Sequence, residues 1–289
     1  MNGILVVNEF LHMNKFNELH SWILEAAKKQ GIPMKLMTNA ELLADLGEVQ
    51  KANETDFILF WDKDVKLASY LEQCGYSVFN QAKAIEICDD KALTHLALSK
   101  AGIPMPRTIL APKTFDNIGY INYNFLKDIA DRLGFPMVLK ECFGSFGQQV
   151  YLIKGEEELL AQVKKIGTKP MLFQEYIGSS FGRDIRLQVV GGKVIAGMYR
   201  YSEGGDFRAN LSIGGKMKPY DPTERQYELA IRSCETIGLD FAGVDLLFGE
   251  DEEPIVCEVN SNAHFKNIYD CTGVDAAEVM IAHIVNKLT

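Results

Sequence analysis

The 289-residue sequence has no excess of positive charge. It contains 30 lysines and arginines against 39 aspartates and glutamates, for a formal net charge of −9. A protein that binds nucleic acid through its phosphates generally needs a basic surface, so general nucleic-acid binding is not expected. The balance still permits a local basic pocket for a small anion.

Long apolar runs are also missing. No stretch approaches the roughly 18 apolar residues of a membrane-spanning helix. The opening residues "MNGILVVNEF" lack the basic segment and the long apolar run of a secretory signal. We therefore expect no membrane partner and a cytoplasmic protein.

Closely spaced cysteine pairs are absent as well. None of the six cysteines forms a C-x-x-C pair, and several lie within apolar runs. This usage is typical of free, mostly buried thiols in a reducing compartment, and it excludes a disulfide scaffold. A catalytic thiol is the less favoured alternative.

The common nucleotide-binding and catalytic motifs are missing too. There is no G-x-x-x-x-G-K-[ST] loop, and the glycine loop "FGSFGQ" precedes a strand rather than the helix of a Rossmann fingerprint. No Ser/His/Asp or Cys/His nucleophilic set is evident. What is present is Lys140, on a strand directly before Gly144–Gly147. Glycines let backbone amides approach phosphates and a lysine neutralises them, although this loop taken alone favours a hairpin turn with an incidental lysine.

Strands and helices alternate over about the first 85 residues, which predicts a parallel α/β lobe. Asp89 or Asp90 is expected to cap the next helix, whose apolar face would carry Leu93, Leu96 and Ala97. From residue 107 the pattern becomes α+β, with a hairpin around Gly191–Gly192.

The last predicted hairpin carries acidic residues on strands that are otherwise apolar. If 243–248 pairs with 255–260 across "GEDEEP", Phe248 faces Ile255 and Asp245 faces Glu258. Opposed side chains in a sheet lie with Cβ atoms roughly 4.5–5.5 Å apart, so two carboxylates there need a cation between them.

Side-chain alternation adds Asn260 to the polar face of this hairpin and assigns Ile255, Cys257 and Val259 to the core face. Two carboxylates and an amide oxygen form a hard-oxygen set that suits Mg²⁺ or Mn²⁺. An acidic, solvent-exposed hairpin face is the alternative.

The segment "YRYSEGGDFRANLSIGG" places Arg200, Arg208 and Asn210 in or beside a glycine-rich loop. Guanidinium groups bind phosphates and carboxylates through two hydrogen bonds, and loops of this length often act as lids. We expect the loop 203–216 to be mobile without ligand, the alternative being a plain surface loop.

Taken in order, five segments resemble the ATP-grasp superfamily, and most of all its RimK-like glutamate ligase branch. They are "DDK…GIPMPRT", "PMVLKECFGSFGQQV", "FQEYIG…GRDIR", "GDFRANLSIGG" and "GVDLLF…CEVNSN", within residues 89–285. Two positions depart from the pattern. Gln148 replaces a loop glycine, and Ser261–Phe265 replaces the usual alanine, serine, proline and glycine beside the acceptor.

The resemblance implies an ATP-grasp fold of mixed α/β and α+β class. Its expected parts are an N-terminal Rossmann-like lobe (1–85), a central lobe (86–177) and a C-terminal lobe with a metal site (178–289). The implied nucleotide-binding residues are Lys91, Lys140, Gly144, Ser145, Gly147, Gln174, Glu175, Tyr176, Ile177, Asp184, Arg208 and Asn210. The implied catalytic residues are Arg208 and Arg200, and the implied metal ligands are Asp245, Glu258 and Asn260.

The implied activity is an ATP-dependent carboxylate–amine ligase that forms an acylphosphate and releases ADP and phosphate. An α-L-glutamate ligase is one such enzyme. The implied cofactors are ATP and two Mg²⁺ or Mn²⁺ ions, and the partners are a carboxylate substrate and an amine or amino acid. A homo-oligomer remains open.

The alternatives to a ligase are an ATP-grasp phosphotransferase and a non-catalytic nucleotide-binding regulator. His264 is either a base toward the amine or a structural histidine.

Overall fold

The computed structural model describes residues 1–11, 14–47, 54–144, 147–211 and 214–289. Its strands are β1 (Gly3–Val7), β2 (Met34–Thr38), β3 (Phe57–Phe60), β4 (Val78–Phe79), β5 (Thr108–Leu110), β6 (Met137–Glu141), β7 (Val150–Ile153), β8 (Met171–Glu175), β9 (Arg183–Val190), β10 (Lys193–Tyr201), β11 (Lys216–Pro219), β12 (Phe241–Phe248) and β13 (Pro254–Asn260). Its helices are α1 (Asn14–Lys29), α2 (Val65–Gln73), α3 (Ala82–Asp89), α4 (Lys91–Lys100), α5 (Phe125–Leu133), α6 (Glu156–Ile166), α7 (Glu224–Ile237), α8 (Lys266–Thr272) and α9 (Ala276–Leu288). None of the helices in these ranges is long and apolar enough to cross a membrane.

Three sheets organise the chain. The first is parallel, in the order β2-β1-β3-β4, as the alternating N-terminal pattern predicts. The second is antiparallel, in the order β5-β8-β6-β7, and packs with α5 and α6 around its own apolar core. The third is antiparallel, in the order β11-β10-β9-β12-β13, and carries α7 on one face.

The N-terminal sheet and the C-terminal helix share one apolar core. Leu5 and Phe57 of the first sheet pack in the same cluster as Met280 and Ile281 of α9. The Asn80 side chain, fully buried, donates to the carbonyls of Phe241 and Ser261 at 2.9 and 3.1 Å. The first and third sheets are therefore joined by packing and by hydrogen bonds, whereas the second keeps a core of its own.

The hairpin of β12 and β13 contains a bulge that the sequence did not reveal. Asp245 pairs with Glu258 as predicted, but Phe248 pairs with Pro254 and not with Ile255. The register shifts beyond Asp245 because β13 has one extra residue there.

The bulge also changes which residues of β13 face the core. Val256 and Val259 are both fully buried in the core beneath the third sheet. Cys257, predicted to face that core, instead lines the cleft on the opposite side together with Glu258. The predicted alternation therefore holds only on one side of the bulge.

Helix α4 is capped by Asp90, whose side chain accepts a hydrogen bond from the Ala92 amide. Its buried face differs from the predicted apolar face, since Lys91, His95 and Leu98 are buried whereas Leu96 is 53% exposed. The polar residues on this side are hydrogen-bonded: the His95 ring contacts the Gln174 side chain and the Lys91 carbonyl, and Lys91 Nζ donates to the Gly144 carbonyl. The predicted lobe boundaries near residues 85 and 177 stay predictions; α3 crosses the first, and β8 and β9 flank the second.

Candidate active site

A first cleft of about 930 Å³ lies between the second and third sheets. Its lining includes the following residues from the predicted nucleotide and catalytic sets: Lys91, Lys140, Gly144, Gly147, Gln174, Glu175, Tyr176, Ile177, Asp184, Arg200, Arg208 and Asn210. Of the predicted metal ligands, Asp245 and Glu258 line it as well. Ser145 lies outside the described residues.

A second cleft of about 1560 Å³ adjoins the first. Residues of α1, of the segment after β3, of the third sheet and of α8 line it, including Trp61, Lys63, Arg186, Asn260 and Lys266. Arg200, Asn210 and Glu258 line both clefts, so the two spaces meet at these three side chains. Asn260, predicted as a metal ligand, lines only the second cleft among these two.

A row of alternating charges crosses the third sheet between the two clefts. Arg200 on β10 donates to both carboxylate oxygens of Asp184 on β9, at 2.6 and 2.9 Å. Arg186 on β9 donates to both oxygens of Asp245 on β12, at 2.7 and 2.6 Å, and Arg200 reaches the same aspartate at 2.9 Å. Burial alone would raise the pKa of Asp245, but Arg186 and Arg200 together hold that pKa below its usual value.

These ion pairs explain how the opposed carboxylates of Asp245 and Glu258 are tolerated. Two arginines compensate Asp245, and Lys91 Nζ lies 3.8 Å from a Glu258 oxygen. No group of three or more His, Cys, Asp or Glu side chains in the described ranges is arranged to hold a metal ion by itself. The oxygen chemistry nevertheless fits Mg²⁺, because two carboxylates and the Asn260 amide lie around the junction of the clefts. The Asn260 amide nitrogen is buried without a hydrogen-bond partner in the protein.

Two buried lysines line the first cleft. Lys140 on β6 is 7% exposed, and its Nζ lies 3.8 Å from the sulfur of Cys257 on β13. Lys91 begins α4, and its Nζ donates to the carbonyl of Gly144 at 3.1 Å. Because both amines are buried, an anion in the cleft would gain more from them than from surface lysines.

The end of β8 supplies the predicted adenine-reading segment. The ladder ends at Glu175, so the backbones of Tyr176 and Ile177 lie beyond the sheet pairing whereas that of Gln174 lies within it. The Gln174 side chain contacts His95 Nε2 at 2.6 Å and Thr108 Oγ1 at 2.9 Å. Burial lowers the pKa of His95 to about 4, so this imidazole is neutral at pH 7 and its Nε2 can accept a hydrogen bond from the Gln174 amide group.

The predicted lid touches the glycine loop across the first cleft. Arg208 Nη1 donates to the carbonyl of Gly147 at 2.6 Å, and the same guanidinium is held by Asp206 through Nε and Nη2. The Asn210 side chain packs so close to Gly147 that an added Cβ there would lie 3.0 Å from its Oδ1. Residues 212–213 of the predicted lid lie outside the described ranges. The mobility of the lid without ligand stays a prediction.

Two residues of the site were not assigned from the sequence. Arg186 lies two positions after Asp184 on the same strand face, and this period-2 spacing is a signal that could have identified it. Cys257 could not have been placed, because its position depends on the bulge.

The RimK-like ATP-grasp domain family model matches residues 88–284. The chain belongs to the RimK-like ATP-grasp family. It is 33% identical over 228 residues to a zebrafish (Danio rerio) beta-citrylglutamate synthase B, which covers 78% of this chain and 55% of that protein. It is also 36% identical over 221 residues to a probable alpha-L-glutamate ligase of Enterobacter sp., covering 75% and 70% of the two chains. This ATP-grasp chain thus spans little more than half the length of the synthase.

Solved structures give the same fold. A RimK-domain ATP-grasp protein from Sphaerobacter thermophilus has a TM-score of 0.74 at 20% identity, over 98% of this chain and 99% of that one. The D-alanine–D-alanine ligase of Bacillus anthracis, in complex with ATP, has a TM-score of 0.75 at 18% identity, over 100% and 98%. Sequence identities of 20% and 18% establish a shared fold and nothing further. The family match confirms the predicted family, and the solved structures confirm the predicted ATP-grasp fold.

Proposed function

We propose that this protein joins a carboxylate to an amine at the expense of ATP, through an acylphosphate, with release of ADP and phosphate. The observation that carries the proposal is the meeting of two clefts at Arg200, Asn210 and Glu258. In this arrangement the triphosphate end of a nucleotide in the first cleft would face a carboxylate bound in the second.

The positively charged side chains that line the first cleft support its assignment as the nucleotide site. Lys91, Lys140 and Arg208 bring positive groups to it from α4, β6 and the lid. The paired arginines and aspartates of the third sheet cancel one another, Glu258 offsets Lys91 and Asp206 offsets Arg208, so that Lys140 is left without a carboxylate partner among the described residues. The remaining positive charge suits a phosphate chain, and the segment after β8 suits its base.

Asp245, Glu258 and Asn260 are the residues that would hold Mg²⁺ in this site, with nucleotide phosphates completing its ligands. The ion would screen the phosphate charge during transfer, as in other phosphoryl-transfer sites. The predicted pair of ions, the use of Mn²⁺ in place of Mg²⁺ and the individual roles of all the site residues belong to this proposal.

The protein's own residues position the substrates and neutralise the charge that develops during phosphoryl transfer. A carboxylate oxygen of the substrate attacks the γ-phosphorus, and the bond to the ADP oxygen breaks. The amine nitrogen then attacks the acyl carbon, phosphate leaves, and the nitrogen gives up a proton. Arg200 lies where the two clefts meet and neutralises charge on the transferred group. The contact between Arg208 and Gly147 closes the first cleft, which protects the acylphosphate from water.

The second cleft supports an acidic substrate. Lys63, Arg186 and Lys266 line it, although each is paired with a carboxylate in the ligand-free protein. The relatives named as a citrylglutamate synthase and a glutamate ligase favour glutamate as the amine. A cytoplasmic location and a homo-oligomer remain predictions.

The test is release of ADP with MgATP and pairs drawn from N-acetyl-L-aspartate, citrate and L-glutamate. We expect ADP and phosphate only when both a carboxylate and an amine are present, and loss of turnover in Glu258→Gln. Glu253→Gln, on the exposed hairpin turn and paired with Arg225 outside both clefts, is the matched control. ADP formation without an amine, together with a stable phosphorylated product, would identify a phosphotransferase instead. Accumulation of AMP would contradict the acylphosphate route.

A further inference from the structure

Arg186 stands in the wall between the two clefts. Its guanidinium lines the second cleft, whereas Asp245, its partner, lines the first. Both bonds between them are short, at 2.7 and 2.6 Å, and they are the only side-chain bonds of Arg186 within the described ranges. The position of this guanidinium therefore depends on what else Asp245 binds.

Asp245 has little capacity left for a further ligand. An ionised carboxylate offers about four acceptor sites, and three are used by Arg186 and Arg200. A divalent cation at this carboxylate would also repel both guanidinium groups at close range. One of the two arginines must therefore weaken its hold on Asp245 when a divalent cation binds there.

The two arginines differ in their freedom to move. Arg200 is 4% exposed and stays bound to both oxygens of Asp184 even without Asp245. The Arg186 side chain is 15% exposed and borders the open second cleft. The Arg186 guanidinium is therefore the group that can leave Asp245, and it can move into the second cleft.

We propose that Arg186 is a carboxylate receptor of the second cleft that Asp245 withholds until a divalent cation binds at Asp245. This inference rests on the proposed function and specifies which residue recognises the carboxylate. The freed guanidinium offers two parallel hydrogen bonds, which match a carboxylate. Because coupling between sites is reciprocal, the carboxylate in turn strengthens binding of the metal–nucleotide complex.

The first test measures metal affinity. Mn²⁺ binding in the presence of a non-hydrolysable ATP analogue is followed by electron paramagnetic resonance in the parent protein and in Arg186→Gln. We expect Mn²⁺ to bind at least three-fold more tightly to the variant, because a competitor for Asp245 has been removed. Arg225→Gln, at an exposed ion pair with Glu253, should match the parent protein. Unchanged or weaker Mn²⁺ binding in Arg186→Gln would overturn the proposal.

The second test follows the guanidinium itself. Phenylglyoxal labelling of Arg186, measured by mass spectrometry, should rise several-fold when Mg²⁺ joins the ATP analogue, while labelling of Arg225 stays constant. L-Glutamate or N-acetyl-L-aspartate should then protect Arg186 only in the metal-loaded protein. Constant labelling of Arg186, or no protection by either compound, would refute its release or its role as receptor. ADP formation that depends on both substrates, together with such a result, would leave the ligase function standing.

Discussion

Replacing Arg200 by methionine should destabilise the protein strongly, because the substitution strands a buried carboxylate. Asp184 is 9% exposed, and Arg200 donates to both of its oxygens. Breaking a buried ion pair by removing one partner costs about 3–5 kcal/mol. Asp245 keeps Arg186, so most of the loss comes from Asp184 alone. Arg186→Met, which leaves Asp245 its contact with Arg200, should cost less, about 1–3 kcal/mol.

Urea unfolding at pH 7, followed by circular dichroism, gives the free energies for both variants. Asp184→Leu combined with Arg200→Met should recover at least half of the loss, since an apolar pair then replaces a lone charge. Burial raises the pKa of Asp184, against the effect of Arg200. Removing Arg200 should raise that pKa further, so the deficit of Arg200→Met should be full above the variant's pKa and should shrink as the pH falls through the pKa of Asp184 in the parent protein. A cost below about 1 kcal/mol at pH 7, with no rescue in the double variant, would refute this reasoning.

Two further predictions concern the lid and the C-terminal helix. Arg208→Ala should stay folded but lose most of its ADP release. Arg208→Lys should restore only part of that release, because a lysine cannot hold both Asp206 and the Gly147 carbonyl. Full activity in Arg208→Ala would contradict the proposed role of Arg208. Asp240 accepts from His283 and Lys287 of α9, and although burial opposes them, they lower its pKa. Its contribution to the free energy of unfolding is present above the unfolded-state pKa and is lost as the pH falls through the lowered folded-state pKa. Asp240→Asn should therefore flatten the acid side of the stability profile, and an unchanged profile would contradict this assignment.

Elements with strong local signals were predictable from the sequence. Strands β9 and β10 flank the predicted turn at Gly191–Gly192, where both residues have positive φ, as a two-residue hairpin needs. Elements with weak local signals were missed, among them α8, which begins without a side-chain cap. Such short elements form because of the surfaces they pack on, which the local sequence does not describe.

The candidate site was predictable as a set of residues but not as a network. The resemblance gathered Lys140, Arg208 and Glu258, and the structure places all three in the first cleft. The sequence could not show that arginines compensate Asp245, because Arg186 reaches it across neighbouring strands. Nor could it show the bulge that turns Cys257 toward Lys140.

The apolar core shared by the first and third sheets bears on how the two clefts open. The second cleft is built on elements that pack as one body and are held together by Asn80, so opening it means breaking that core. The first cleft has one wall on the second sheet, whose core is separate. Hydrogen exchange should therefore be slowest around Asn80, and rigid-body swinging of the second sheet should change the first cleft alone. The nucleotide would then bind in a cleft that opens and closes, while the backbone that surrounds the second cleft keeps its shape and side chains such as Arg186 adjust within it.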